Sequence, residues 1–447
     1  MTLAAGLFGV LAAAVSLSLC GEIALRFLPP FDPPLRRFAR LSLAFLLGCG
    51  LVGTWRIVLD LLGVRIGLLT TFAPAIPAAW LALRRGKRWD SPPHEPSSAL
   101  SRSLALATAF FCALAFAETV ARPLFDGDQV TNWGIKARVL HESGRFDLGA
   151  VPWLEIRAPG DHPPLAPMLL ALVHDFAGGV DNDTTKLFYA LFLPACLGLL
   201  DGALGPLASP LARRAGALAF AATPVVLDNA SNGLVDLPLL AFEGGGLLLL
   251  ACGAAPVGIA LTAFGVLLKA EGIVLAFVNL AVALAFARGR ARRGVLAGAL
   301  ACGGAFLLSE TLRRAYGYER LSLNLFGPHA WARASAIARA FAGEFFRIKG
   351  SSGWGLYLLL VPAGALALGP ALRRGSAGFL FAGFVGALLA QGAIYFVYPG
   401  DLRWQLPLHL TRAVLHGALA AAGLVALAFD ACARTAVTEG GSPLRSR

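Results

Sequence analysis

Charged residues are scarce in this chain of 447 residues: 14% are Asp, Glu, Lys or Arg, and 57% are hydrophobic. A soluble domain carries about a quarter charged residues, so the composition excludes a soluble fold for most of the chain. Apolar runs at 3–25, 41–62, 104–120 and 379–397 approach the ~20 residues that cross a bilayer as a helix. The sequence therefore predicts an all-α polytopic membrane protein, with the first run as a retained span.

Several motifs are also missing. The seven cysteines show no CxxC spacing and fall within or beside apolar runs, which indicates small core residues rather than disulfides or metal ligands. There is no Walker loop, no dinucleotide glycine fingerprint and no HExxH motif, so none of those chemistries is indicated. The chain shows no soluble domain and no tandem repeat, and its two halves show no similarity to each other.

The basic residues follow a topological pattern. The net charge is +12, and short clusters of Lys and Arg lie at 83–90, 213–214, 288–293 and 373–374, between apolar runs. This is the distribution of the positive-inside rule, not the footprint of a nucleic-acid-binding protein. We expect these loops to face the cytoplasm.

The apolar runs predict about 13 spans in one integral membrane domain, residues 1–431, followed by a cytoplasmic tail at 432–447. The predicted spans are 3–27, 40–62, 65–83, 101–121, 187–207, 214–229, 235–252, 256–270, 272–287, 294–311, 354–371, 376–397 and 413–431. The long loops 122–186 and 312–353 then lie outside. The second is basic, which indicates either an anionic partner or a solvated helix that crossed despite its charge.

The first outer loop has a helical period of apolar residues in "DQVTNWGIKARVLHESG", and "HPPLAPMLLALVHDFAGG" predicts a second short apolar helix. We expect both helices to be amphipathic and to rest on the membrane surface. Asp126 and Asp128 precede them at the mouth of the fourth span. Either acid can accept a proton from a hydroxyl, and Asp128 can alternatively cap the next helix.

Four further polar residues stand out near the outer ends of spans. Lys136 follows Asp128 by about two helical turns and suits either a phosphate or a snorkelling position at the surface. Asp236 is either the N-cap of a span or a second acid of the cleft. Lys269 and Glu271 interrupt an apolar stretch and predict either an internal ion pair or contact with a ligand, with a break near Gly272.

The segment "YPGDLRWQLPLHLTRAVLH" brings two arginines to the outer mouth of the last span. Arg403 and Arg412 can hold a phosphate through their planar pairs of donors. Their position opposes the positive-inside trend, so membrane orientation does not explain it.

Taken together, these segments resemble the C-type integral-membrane glycosyltransferases, in particular bacterial polyprenyl-phosphate-dependent transferases related to protein O-mannosyltransferases and aminoarabinose transferase. The matching segments are "DGDQVTNWGIKARVL", "HPPLAPMLLAL", "KAEG" and "DLRWQLPLHLTRAVLH". They span roughly 118–280 and 395–416. The chain departs from the family at Gly127, where an aromatic residue is common, and in three additional N-terminal spans.

The resemblance implies a transferase that moves a sugar from a polyprenyl-phosphate donor to an acceptor hydroxyl at the extracytoplasmic face of the inner membrane. It implies Asp128 as the general base, with Asp126 as the alternative. It places Lys136, Arg403 and Arg412 on the donor phosphate. Trp133, His162, Asp236, Lys269 and Glu271 are the candidate residues around the substrate. The acids are compatible with a divalent cation, although nothing in the sequence requires a metal or cofactor.

Two other functions fit part of the sequence. A transporter or flippase of a lipid-linked anion would explain Lys269, Glu271 and the basic outer loop, but it does not need a long outer loop with acids at its root. A non-catalytic membrane scaffold would tolerate the loss of both Asp126 and Asp128. The sequence names neither the sugar nor the acceptor, which is a lipid, a polysaccharide or a protein.

Overall fold

The computed structural model describes residues 2–28, 35–85, 98–123, 129–147, 162–315, 329–346, 357–373, 375–397 and 402–440. Within these ranges the chain forms helices and no β-strand. The first half consists of α1 (Leu3–Leu25), α2 (Arg37–Leu61), α3 (Leu68–Phe72), α4 (Ala75–Arg84), α5 (Ala99–Ala121), a π-helix (Gln129–Gly134), α6 (Ile135–Ser143), α7 (Leu165–Ala177), α8 (Asn182–Ala190), α9 (Phe192–Ala203) and α10 (Pro210–Ala221).

The second half contains a bent pair of helices and several long ones. It consists of α11 (Pro224–Ser231), α12 (Asp236–Ala251), α13 (Ala255–Val266), α14 (Ala270–Phe286), α15 (Arg290–Ala315), α16 (His329–Phe346), α17 (Tyr357–Leu368), a 3-10 turn (Gly369–Arg373), α18 (Gly375–Val397), α19 (Leu402–Leu415) and α20 (Ala418–Gly440).

The chain is a multi-pass membrane protein of the all-α class. In the described part, seven helices are long and apolar enough to cross a membrane, or eight if α11 and α12, bent by 119°, form one broken span. Shorter apolar helices occupy Leu68–Arg84, Leu165–Ala177, Ala255–Val266 and Ala270–Phe286. The predicted count of about 13 spans is therefore not confirmed.

Two polar ends bound the helical bundle. At one end, which we call the basic end, Asp201 lies 3.2 Å from Arg213 and 3.9 Å from Arg36, and the backbone N–H of Ser209 donates to Asp430 at 2.9 Å. At the other end, which we call the Asp236 end, α12 begins. Charged groups therefore occur on both sides of an apolar middle.

The core comes largely from helices with long apolar runs. Residues Leu165 to His174 of α7 are all buried, because this helix packs against α1, α2 and α6. The helix predicted to rest on the membrane surface is thus covered by protein along most of its length, and its depth in the membrane stays a prediction.

Candidate functional site

A buried carboxylate forms the centre of the Asp236 end. Asp236 is 2% exposed and receives charge-assisted hydrogen bonds from two cations. Lys269 Nζ donates to Oδ1 at 2.8 Å, and Arg412 donates to Oδ2 from Nη2 at 2.7 Å and from Nε at 3.0 Å. His416 Nε2 lies 3.6 Å from Oδ1. Groups from three separate parts of the chain therefore meet at one side chain.

The bend between α11 and α12 places Asp236 in this position. The N-cap of α12 is Val235, and the cap makes no side-chain hydrogen bond. The Asp236 carboxylate accepts hydrogen bonds from two cations of other segments, Lys269 and Arg412. Asp236 is therefore paired with cations from distant parts of the chain, and its role as an acid of a cleft stays a prediction.

Lys269 and Glu271 lie at a break between two short helices. Lys269 has extended backbone angles, φ −153° and ψ 153°, and separates α13 from α14. Its ammonium lies 3.1 Å from Glu271 Oε1, so the predicted ion pair is present. A Cβ added to Gly272 would lie 2.1 Å from the carbonyl oxygen of Gly265, so only glycine allows α13 and α14 to approach this closely.

The first loop reaches this break through the start of α7. The backbone N–H of Leu165 donates to the carbonyl of Leu267 at 3.0 Å, which ties α7 to the end of α13. His162, three residues earlier in the sequence, interacts electrostatically with Glu271. The "HPPL" segment therefore lies beside the "KAEG" segment, although the sequence separates them by about a hundred residues.

Aromatic contacts extend the site from His162 to Lys136. The ring centroids of Trp133 and His162 are 4.9 Å apart, and Lys136 Nζ lies 5.9 Å from the Trp133 ring centroid. Trp133 is 2% exposed and Lys136 is 1% exposed. Lys136 is therefore not a snorkelling surface residue, since its side chain is enclosed by the protein.

Helix α18 contributes two residues that sequence reasoning missed. Gln391 Nε2 lies 2.8 Å from Nδ1 of His416, and Tyr395 interacts electrostatically with Glu271, Asp236 and Arg412. Residues four apart on a helix share a face, so Gln391 and Tyr395 point the same way. In the sequence, the sign that could have identified them is a glutamine and a tyrosine four residues apart within an apolar run.

The charges of this centre nearly balance within the protein. The carboxylates of Asp236 and Glu271 face the cations of Lys269 and Arg412, and all four side chains are at least three-quarters buried. Buried ion pairs gain little stability overall, because both charges lose their hydration. In this centre the two carboxylates hold the two cations in fixed positions.

A second polar cluster fastens the first loop to α2. Arg56 Nη2 donates to Asp175 Oδ2 at 2.8 Å, and His141 Nδ1 lies 2.7 Å from Asp175 Oδ1. Burial and the neighbouring His141 lower the pKa of His174 from 6.5 to about 4. His174 is consequently neutral at physiological pH. The cluster holds α6 and α7 against α2, and so it positions the residues that lead to Trp133.

The remaining predicted residues are only partly visible. Asp126 and Asp128, the two candidate bases, lie outside the described residues. Arg403 lies on α19 with its side chain outside the described part. The second long loop also reaches this end of the bundle. Its residue Glu344, on α16, accepts a hydrogen bond at 2.9 Å from Thr411, the residue before Arg412. Among the described residues, no three His, Cys, Asp or Glu side chains are grouped to hold a metal ion.

No protein-family model, curated protein or solved structure matches this chain. The motif resemblance and the geometry of the Asp236 end are therefore the two grounds for a function.

Proposed function

We propose that this protein is a membrane glycosyltransferase that moves a sugar from a polyprenyl-phosphate donor to an acceptor hydroxyl. One observation supports this most: Arg412, Lys269 and Asp236 come from distant segments and meet at one end of the bundle. Two of these residues, Lys269 and Arg412, lie in segments that carry the resemblance to C-type transferases. The site combines enclosed cations, suited to a phosphate, with the start of an acid-bearing loop.

We place the Asp236 end at the extracytoplasmic face of the inner membrane. The basic clusters of the sequence belong to the loops of the other end, as the positive-inside rule requires. In this proposal the short apolar helices at Leu68–Arg84, Ala255–Val266 and Ala270–Phe286 complete further spans toward the predicted total of about 13.

In this proposal Lys136, Arg403 and Arg412 bind the donor phosphate. Lys136 provides an ammonium group that is enclosed beside Trp133. Asp236 orients Arg412 by accepting from two of its nitrogens. Cations held in fixed positions stabilise the negative charge that develops on a leaving phosphate, and they need no reorganisation during the reaction.

The chemical step is a single displacement. The acceptor oxygen attacks the anomeric carbon, the bond from that carbon to the phosphate oxygen breaks, and the phosphate leaves with the electron pair. Asp128 takes the proton of the acceptor hydroxyl, with Asp126 as the alternative base. Because the attack comes from the face opposite the phosphate, the configuration at the anomeric carbon is inverted.

The test is sugar transfer from polyprenyl-phosphate sugars in membranes that contain the wild type, Asp128→Asn or Asp126→Asn at equal expression. Asp228→Asn is the matched control, since this carboxylate is 51% exposed and pairs with Arg122. We expect transfer in the wild type and the control, and its loss in Asp128→Asn. Full transfer by both Asp128→Asn and Asp126→Asn would overturn the assignment of the base, and no transfer by the wild type would favour a scaffold or transporter.

A further inference from the structure

A second buried carboxyl group lies deeper in the bundle than the Asp236 centre. Glu243 follows Asp236 by seven residues on α12, which is two helical turns on the same face and ~10 Å further along the axis. It is 2% exposed and faces α13 and α14. The proposed sugar transfer gives it no role.

The polar groups around Glu243 contain more acceptors than donors. Asn279 Nδ2 lies 2.8 Å from Glu243 Oε2, 3.0 Å from the Glu243 carbonyl oxygen and 3.4 Å from Thr262 Oγ1. An amide nitrogen carries two protons, so it cannot serve three acceptors fully. The other carboxyl oxygen, Glu243 Oε1, is buried and has no hydrogen-bond partner among the described residues.

No cation of the described chain neutralises Glu243. None of the ion pairs found in the described ranges involves it, and Asp236 and Lys269 form their own pair two turns nearer the end of the bundle. The titratable group that interacts with Glu243 is the thiol of Cys302, on α15, which brings no positive charge. A carboxylate buried in apolar surroundings without a countercharge costs several kcal/mol.

A glycine of α13 allows the unpaired oxygen of Glu243 to lie close to the backbone of that helix. A Cβ added to Gly265 of α13 would lie 2.1 Å from Glu243 Oε1. Thr262 lies one helical turn before Gly265 on α13, so the Thr262 hydroxyl and the contact between Gly265 and Oε1 are on one side of that helix. The oxygens of Glu243 and Thr262 and the amide of Asn279 therefore converge between α12, α13 and α14.

We propose that Glu243, Thr262 and Asn279 form a binding site for one monovalent cation, which is a proton or a sodium ion. A single positive charge here neutralises the carboxyl group and satisfies the surplus of acceptors. Hard cations take oxygen ligands, and the Asn279 amide turned by 180° adds its own oxygen to those of Glu243 and Thr262. This site does not depend on the proposed glycosyl transfer.

The first experiment uses dicyclohexylcarbodiimide, which reacts with protonated carboxyl groups in apolar surroundings. The full-length protein in membranes is treated across a pH series, in sodium chloride or choline chloride at equal ionic strength, and modification of Glu243 is followed by peptide mass spectrometry. For a sodium site, sodium slows the labelling and choline does not. For a proton site, labelling proceeds equally in sodium and in choline, and it declines as the pH rises. Glu118, 41% exposed at the end of α5, is the control that stays unmodified.

A stability measurement decides the case even if the reagent cannot reach Glu243. Glu243→Gln has nearly the same shape and is permanently neutral, so in sodium-free buffer at neutral pH we expect it to unfold at the wild-type temperature for a proton site and above it for a sodium site. A much lower unfolding temperature for Glu243→Gln would overturn the proposal, because the negative charge itself would then stabilise the bundle.

Discussion

Arg412 donates two hydrogen bonds to a single carboxylate oxygen of Asp236, at 2.7 and 3.0 Å, across 176 positions of the sequence. The other oxygen of the same carboxylate accepts from Lys269 at 2.8 Å. One buried acid therefore fixes the relative position of α12, α19 and the break before α14. This arrangement makes Asp236 the residue that orients both cations of the site.

Replacing Asp236 should destabilise the protein strongly. Asp236→Asn leaves Arg412 and Lys269 buried beside each other without their shared anion, and breaking a buried ion pair costs about 3–5 kcal/mol. The measurement is thermal or denaturant unfolding of the purified protein in detergent. Asp228→Asn removes an exposed partner of Arg122 and should cost less than ~1 kcal/mol. Equal losses in the two variants would show that the Asp236 pairs contribute no more than a surface pair does.

The close approach of α13 and α14 can be tested at Gly272. A Cβ at this position would lie 2.1 Å from the Gly265 carbonyl, so Gly272→Ala must push the two helices apart. Overpacking of this kind costs about 1–3 kcal/mol. Gly303→Ala on α15 is the matched control, because a Cβ there meets nothing within 4 Å. We expect a lowered unfolding temperature for the first variant and an unchanged or raised one for the second. The opposite order would mean that Gly272 is not in tight contact.

The neutral His174 predicts a loss of stability in acid. Burial lowers its pKa from 6.5 to about 4 in the folded protein, so between these values the unfolded chain binds a proton that the folded chain does not. Stability is then complete above pH 6.5 and falls as the pH drops toward 4, by at most about 3 kcal/mol from this residue. The check is the unfolding free energy measured from pH 7 to pH 4. His174→Gln should flatten the curve in that window, whereas an unchanged slope would exclude His174 as the cause.

Features that depend on a local pattern of residues could be predicted from the sequence alone. Long apolar runs became helices, and Lys269 with Glu271 became an ion pair at a break, since two neighbouring charges in an apolar stretch must be paired. The burial of α7 agrees with the apolar run Leu165–Val173 that forms most of it. The role of Asp236 did not follow, because a carboxylate at the start of a helix looks the same whether it caps that helix or binds cations.

Contacts between residues far apart in the chain could not be predicted from the sequence. Arg56 and Asp175 are separated by 119 positions, and nothing in either neighbourhood specifies the other. Gln391 reaches His416, 25 positions away, only because α18 and α19 pack together. Their pairing is a property of helix packing, which a single sequence does not encode in any short motif.

The most direct test of the central claim is the affinity of the folded protein for undecaprenyl phosphate. Lys136 on α6 and Arg412 on α19 should contribute to one phosphate site, so Lys136→Gln and Arg412→Lys should each weaken binding by roughly 10- to 100-fold, the loss of one charge-assisted hydrogen bond. Arg138→Gln, which changes an exposed residue of α6 paired with Glu142, should bind as the wild type does. Wild-type affinity in both the Lys136 and Arg412 variants, with both folded, would contradict the account.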